Sequence, residues 1–317
     1  MLNFIIQALE GIFTIIFIVA IGYILSKKGW FDERSSALIA KLVTTISLPL
    51  YMVTSLTKNF TADKLLAMAP DMLLPVASML LALIIGKIMV NAFKVKRGRR
   101  GIFCTNYFIA NTMFIGLPVN LALFGDQNIP SVMLYYIVNT IFFWTLGVHN
   151  IVADTVGSHH GILSPTILKK LLSPPLLGFF AAIILIVLNI KLPHFLFNSL
   201  QYVGNLTTPL SLIFIGIEIS RISLRSFNFE RDIIGGLFGR FVVCPISVLL
   251  LVPFITVSDM SVKVFTMQAA MPAMTQMAIV AKQYGADSQY AAALSFITIL
   301  CGLLVIPIYM TVVNVYF

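Results

Sequence analysis

The sequence predicts an all-α membrane protein with ten transmembrane helices in two inverted five-helix repeats. Three observations lead to this fold class: an apolar composition, an internal repeat, and helix-breaking residues at matching places in the two halves. Of the 317 residues, 59% are hydrophobic and 10% are charged, whereas soluble domains carry about 25% charged residues. Apolar runs recur along the whole chain, so we expect the protein to cross a bilayer many times.

Ten apolar segments reach the length of about 20 residues that a helical crossing requires. Numbered as predicted spans one to ten, they cover 3–25, 36–56, 68–92, 101–124, 130–154, 166–190, 196–219, 232–255, 261–282 and 288–316. The connections are short, and no soluble domain fits between the spans. We therefore expect a first repeat over 1–155, a short cytoplasmic linker over 156–165 and a second repeat over 166–317.

The basic loop between predicted spans three and four sets the orientation. It reads "KVKRGRR" over 94–100, and loops rich in Lys and Arg stay in the cytoplasm. Alternation along the chain then predicts a multi-pass protein of a plasma membrane, the cell membrane of a bacterium, with both termini extracytoplasmic. A second interpretation of the same loop is a binding site for anionic lipid.

No pattern in the sequence indicates catalysis or a bound cofactor. The three cysteines and four histidines lack metal-ligand spacing, and phosphate-loop, HExxH and hydrolase motifs are absent. The net charge of +9 arises from basic residues in short loops, which is a topological pattern and not a nucleic-acid surface. We expect no enzyme, no metal, no cofactor and no nucleic-acid partner.

The two halves of the chain share a register. Pro49 in "TTISLPLYM" and Pro209 in "GNLTTPLSL" are 160 positions apart, and so are Gly125 and Gly285 at the ends of predicted spans four and nine. Each half holds five spans, an odd number, so the second half runs through the bilayer in the opposite sense. This is the inverted-repeat arrangement of secondary transporters.

Two predicted spans contain helix-breaking residues in corresponding positions. Span four is expected to break at "GLP", 116–118, and span nine at Pro272, because proline removes a backbone donor and clashes with the preceding turn. Freed backbone groups at membrane depth need protein, water or substrate as partners. Half-helix N-termini favour an anion such as a carboxylate.

At these residues the sequence resembles a known family. "ANTMFIGLPVNLALFG" resembles the fourth-helix signature of the auxin efflux carrier family, which includes plant PIN-type auxin carriers and bacterial malate or malonate permeases. "SLPL", "TTPLSLIFIG", "GRFVVCP" and "AAMPAMTQMAIVAKQYGAD" follow in the family's order. The long cytoplasmic loop of the large plant carriers is missing, which favours the short bacterial form.

The resemblance implies a scaffold part and a transport part, with spans four and nine crossing at Pro118 and Pro272. It implies that an elevator-like movement carries an organic anion and that the Asn111 side chain faces the anionic group. It also implies a homodimer formed through the scaffold part.

Twelve residues are candidates for the substrate-binding site. Their polar members could alternatively bond a neighbouring helix, which is common in membrane bundles. The candidates are Asn111, Thr112, Gly116, Pro118, Asn120, Pro272, Gln268, Thr275, Gln276, Pro49, Thr208 and Pro209.

Three ionisable residues are candidates for coupling or anion attraction, since ionisable groups inside spans are expected to be functional. Arg240 either extends its side chain to the interface or attracts the anion. His149 either relays a proton or is a buried neutral imidazole bonded to a carbonyl. Asp71 opens predicted span three on the outer side.

Together these observations predict a secondary active or facilitative transporter of small organic anions, mono- or dicarboxylates such as malate or malonate. The alternatives are a cation- or proton-coupled antiporter of similar fold and a non-transporting membrane receptor or scaffold. Predicted span five contains no pair of adjacent carboxylates in its middle, which argues against Na⁺/H⁺ exchange.

Overall fold

The computed structural model describes residues 2–153, 155, 174–221 and 230–316. Throughout these ranges the chain is helical, apart from connections and one isolated β-bridge. We number the described helices α1 Leu2–Lys27, α2 Glu33–Asn59, α3 Ala62–Ala92, α4 Arg100–Asn106, α5 Thr112–Phe124, α6 Asp126–Ala153, α7 Pro174–Val187, α8 His194–Ser220, α9 Arg231–Phe254, α10 Asp259–Ala269, α11 Gln276–Tyr284 and α12 Ser288–Tyr316.

Six of the described helices, α2, α3, α6, α8, α9 and α12, contain segments long and apolar enough to cross a membrane. The all-α membrane fold class is therefore consistent with the structure. The number of ten spans and the inverted repeats stay predictions. The expected linker over 156–165 lies outside the described residues.

The chain divides into two compact units, and each unit draws on both halves of the sequence. Unit 1 comprises Met1–Pro70, Met113–Met133 and Leu172–Ile222, and unit 2 comprises Asp71–Thr112, Leu134–Leu171 and Ser223–Phe317. The expected repeats divide the chain by sequence order, whereas these units group it by contact. Predicted span four contributes to both, because the boundary falls between Thr112 and Met113.

Close glycine contacts hold unit 1 together. A Cβ atom on Gly22 of α1 would lie 2.3 Å from the carbonyl oxygen of Ile213 in α8, and one on Gly216 would lie 2.0 Å from that of Val19. Small residues let helix backbones approach closely where no hydrophobic force drives association in lipid. A larger side chain at either glycine would separate α1 from α8.

Wide π-helical turns precede three of the intramembrane prolines. They cover Val43–Ser47 in α2, Thr112–Gly116 in α5 and Gly239–Val243 in α9, and each is followed by one residue and then proline. The Leu48 amide donates to the Val43 carbonyl, five residues earlier. A turn widened in this way accommodates a residue that lacks an N–H and needs room for its ring. The helices therefore continue through these prolines.

Candidate functional site

Predicted span four is interrupted before its Gly-Leu-Pro sequence. Helix α4 ends at Asn106, residues 107–111 are not helical, and α5 begins at Thr112. The expectation of a break at 116–118 was wrong: Gly116 has helical dihedral angles, φ −63° and ψ −45°, and Pro118 lies in the first turn of an α-helical segment. The preceding π turn explains why proline does not break the helix here.

Predicted span nine is interrupted where the sequence places its proline. Helix α10 ends at Ala269 and α11 begins at Gln276, so Pro272 lies inside the non-helical stretch between them. Pro272 is buried, and a Cβ atom on Gly302 of α12 would approach its ring carbon Cγ to 2.9 Å. The glycine thus leaves space for the proline ring.

The two interruptions meet inside unit 2. The backbone amide of Asn111 donates to the Pro272 carbonyl over 2.8 Å, and Ala110 pairs with Ala273 in an isolated antiparallel bridge. Two non-helical backbone segments thereby satisfy part of each other's hydrogen-bonding capacity, which irregular backbone at membrane depth requires. We call this pairing the crossing.

Side chains of α6 and α12 form hydrogen bonds with the backbone of the crossing. Asn139 of α6 accepts a hydrogen bond from the Ala110 amide at 2.9 Å and donates to its carbonyl at 3.1 Å. Thr298 of α12 accepts from the Ala273 amide at 3.0 Å. Sequence reasoning missed both residues, although each is a polar residue in a largely apolar run.

Arg240 of α9 lies next to the crossing and is fully buried. Its Nη1 donates to the carbonyl oxygens of Asn106, at 3.0 Å, and Ile109, and its Nη2 donates to that of Ala269 at 2.7 Å. The interpretation of Arg240 as a side chain reaching the interface was therefore wrong. Its guanidinium binds the carbonyl ends of α4 and α10, where helix dipoles are negative.

No carboxylate of the described residues forms an ion pair with Arg240. The ion pairs within the described ranges involve Lys96, Arg99 and Arg221 as the cations. The Nε of Arg240 is buried without a partner in the same ranges. A buried charge is costly unless it is compensated, and among the described residues the hydrogen-bond acceptors of Arg240 are carbonyl oxygens.

Three predicted polar candidates lie at the crossing. Asn111 and Thr112 are 5% and 2% exposed, and Gln268 is fully buried. The Gln268 amide donates weakly, at 3.4 Å, to the Thr112 carbonyl, whereas its side-chain oxygen has no partner among the described residues. Thr275 and Gln276 are half-buried at the N-terminus of α11.

The remaining candidates belong to unit 1. The side-chain amide of Asn120 donates to the Gly116 carbonyl of its own helix at 2.7 Å. Pro49 packs against α7, where a Cβ atom on Gly178 would lie 2.5 Å from the proline Cα. The half-buried residues Thr208 and Pro209 lie in the first turn of the Thr207–Ser220 segment. The contacts of Asn120 and Pro49 support helix packing within unit 1.

The two other ionisable candidates differ in burial. His149 is exposed on α6, so the expectation of a buried neutral imidazole was wrong. Asp71 is buried at the boundary where unit 2 begins and accepts a hydrogen bond from the Ser261 hydroxyl at 2.5 Å. Their involvement in coupling stays a prediction.

A second charged group joins three loops of unit 2, and we call it the Arg99 cluster. Its members are Lys96, Arg99, Glu230, Asp232 and Asp287. Arg99 lies 2.8, 3.0 and 2.7 Å from the carboxylates of Glu230, Asp232 and Asp287, in that order. The hydrogen bond from Lys96, aided by the charge of Arg99, holds the pKa of Glu230 below its ordinary value. Part of the basic loop is thus neutralised by the chain's own acids.

The described part of the chain holds no group of three or more His, Cys, Asp or Glu side chains arranged to bind a metal ion. The crossing therefore offers amides, backbone groups and one guanidinium as its chemistry. These groups suit the recognition of an anion by hydrogen bonds and electrostatic attraction.

Comparison with known proteins agrees with a membrane carrier. A family model described as membrane transport protein matches residues 7–310, which confirms the resemblance to the auxin efflux carriers. The chain is 26% identical to an uncharacterized transporter of Methanocaldococcus jannaschii, with 95% of this chain and 97% of the relative covered. It is 23% identical to an uncharacterized transporter of Methanothermobacter thermautotrophicus, with 96% and 97% covered.

Proposed function

The chain belongs to the membrane transport protein family, and from that premise we propose that it is a secondary carrier of small organic anions. Mono- or dicarboxylates such as malate or malonate are the proposed substrates. The observation that carries this proposal is the buried Arg240 guanidinium, which lies at the crossing and has no carboxylate partner among the described residues. A site with fixed positive charge and no acid attracts an anion and repels a cation.

We place the bound anion at the crossing, within reach of Asn111, Thr112 and Gln268. The N-terminus of α11, at Thr275 and Gln276, would add backbone N–H groups and the positive end of a helix dipole. Neutral amides hold a carboxylate less tightly than a bidentate arginine does. Weaker binding of this kind favours release after transport.

The crossing also supports the proposed inverted repeats. The backbone amide of Ala110 donates a hydrogen bond to Asn139 of α6, the helix that follows α5. The backbone amide of Ala273 donates to Thr298 of α12, the helix that follows α11. Corresponding interruptions in two repeats, with the substrate between them at the midplane, are typical of secondary carriers. Alternating access of the elevator-like kind is the mechanism we propose.

Flux in proteoliposomes tests the proposed function. Purified protein is reconstituted, and uptake of a panel of labelled mono- and dicarboxylates is measured while pH and membrane potential are varied separately. We expect saturable uptake of at least one carboxylate above that of protein-free vesicles. Uptake that requires an opposing proton or cation gradient would instead support the coupled antiporter. Binding of a carboxylate without any flux would support a receptor.

The variant Asn111→Ala tests the location of the site. We expect it to abolish stabilisation of the purified protein by the transported carboxylate while leaving the melting temperature without ligand within about 3 °C of the wild type. Asn91→Ala, which removes an exposed amide from α3 in the same unit, is the matched control and should keep the stabilisation. Normal ligand stabilisation and flux in Asn111→Ala would exclude this side chain from the site.

A further inference from the structure

We propose that the Arg240 guanidinium takes the place of a coupling cation. It occupies, between the carbonyl ends of α4 and α10, the kind of position that a coupling cation takes in carriers with interrupted helices. The anion is consequently transported without an obligatory Na⁺ or K⁺. The statement about coupling rests on the proposed function, whereas the statement about the position rests on the geometry alone.

The position has the chemistry of a cation site. Three backbone carbonyl oxygens, those of Asn106, Ile109 and Ala269, converge on one guanidinium. Asn106 and Ala269 end two half-helices, and Ile109 lies in the interruption between α4 and α5. Half-helix C-termini and unwound carbonyls are the groups that hold Na⁺ in secondary carriers. The oxygens of such a site are therefore already bound to a cation that is covalently part of the chain.

Arginine is well suited to this place. Its guanidinium stays protonated in proteins and presents several donors in a planar fork. One side chain can therefore bind carbonyls of two helices at once, which Arg240 does for α4 and α10. An alkali ion would dissociate from this position during the transport cycle, whereas the guanidinium is covalently attached to the chain.

The Arg240 charge has no anionic partner among the described residues. Arg240 is fully buried, and its Nε has no partner in the described ranges. Ionisable groups in membranes usually pair with one another or with backbone carbonyls. An anionic substrate bound at the crossing would supply the missing negative charge, so the substrate itself takes the place of a coupling ion.

Three substitutions separate charge from hydrogen bonding. Arg240→Ala removes both and leaves room for a small cation. Arg240→Gln keeps N–H donors and removes the charge. Arg240→Lys keeps the charge and removes the planar fork. Lys87→Ala removes an exposed cation from α3 of the same unit and is the matched control.

The first measurement is thermal unfolding of the purified protein in chlorides of Na⁺, K⁺, choline and guanidinium at equal, sub-denaturing concentration. We expect the wild type and Lys87→Ala to have the same melting temperature in Na⁺, K⁺ and choline. Arg240→Ala should melt roughly 5–15 °C lower in choline and recover part of that loss in guanidinium or Na⁺. If Arg240→Ala does not fold, Arg240→Gln carries the same comparison of salts.

Two results would overturn the proposal. One is a specific stabilisation of the wild type by Na⁺ or K⁺ over choline, which would mean that a free cation still binds. The other is a charge-removing variant, Arg240→Ala or Arg240→Gln, whose stability does not respond to the identity of the cation.

The second measurement is carboxylate flux in the same salts. Wild-type flux should not depend on replacing Na⁺ and K⁺ by choline, and Arg240→Gln should lower it by about tenfold or more, with Arg240→Lys between the two. Wild-type flux that requires Na⁺ would contradict the proposal. If no carboxylate is transported at all, the proposed function fails, while the salt dependence of unfolding still decides whether Arg240 occupies a cation site.

Discussion

Unit 2 contains two arginines that join separate segments of the chain in opposite electrostatic settings. Arg99 contacts the carboxylates of Glu230, Asp232 and Asp287, and its side chain is 22% exposed. Arg240 is fully buried and contacts three carbonyl oxygens. Both side chains hold loops and helix ends together, but only the Arg99 charge is balanced by acids among the described residues.

The difference lies in how the positive charge is balanced. In the Arg99 cluster the acids of the chain complete the electrostatics, and no further ligand is needed. At the crossing, carbonyl oxygens accept hydrogen bonds from the Arg240 guanidinium, and no carboxylate of the described residues pairs with it. An unbalanced buried charge is therefore a better indicator of a ligand than the number of basic residues in a loop.

Apart from the Arg240 variants, the largest effect is expected from Asn139→Leu, which tests the crossing itself. Leucine has a similar size but leaves the Ala110 amide and carbonyl without the partner described above, so unfolding should become easier by about 2–4 kcal/mol. Thermal or denaturant unfolding of the purified protein measures this change. Asn91→Leu is the control and should change stability by less than about 0.5 kcal/mol. Equal stability of Asn139→Leu and the wild type would show that the crossing does not depend on this amide.

A smaller effect is expected from Arg99→Gln, which tests the other side of the comparison. Glutamine leaves the buried carboxylate of Asp232, 4% exposed, without its guanidinium, at a cost of about 1–3 kcal/mol. Stability should fall, yet the unfolding temperature should show no specific response to guanidinium or Na⁺. A cation-specific rescue like that expected for Arg240→Ala would remove the distinction between the two arginines.

The smallest effect is expected from Lys96→Gln at the exposed edge of the Arg99 cluster. The folded-state pKa of Glu230 is lowered, so the ion pair stabilises the protein above the unfolded-state pKa of glutamate, about 4.3. That contribution is lost as the pH falls through the lower, folded-state pKa. We expect Lys96→Gln to melt within about 2 °C of the wild type at pH 7 and the difference to vanish in acid. A difference that grew below pH 4 would contradict the assignment.

The sequence predicted the features that depend on local chemistry. The apolar helices and the interruption at Pro272 follow from hydropathy and from the missing proline amide. The expectation of a break at Gly116 and Pro118 was wrong because the π turn before Pro118 lets the helix continue through the proline. Periodicity alone does not distinguish these outcomes.

The contacts of the crossing depend on residues far apart in the chain. Arg240 and Asn106 are separated by 134 positions, and no local pattern indicates that one binds the carbonyl of the other. Asn139 could be recognised as a lone amide in an apolar run, but not as the partner of Ala110. Polar residues of the crossing such as Asn111 and Gln268 could thus be singled out from the sequence, whereas their partners were determined by tertiary packing.

The short length of α4 has a consequence for how the protein is made. Its seven residues rise about 10 Å, a third of the roughly 30 Å of hydrocarbon in a bilayer. Such a segment cannot settle in the membrane as an independent helix when it leaves the ribosome. Arg240, which binds the Asn106 carbonyl, is synthesised 134 residues later. This contact of the fourth segment can therefore form only after the second half of the chain has been synthesised.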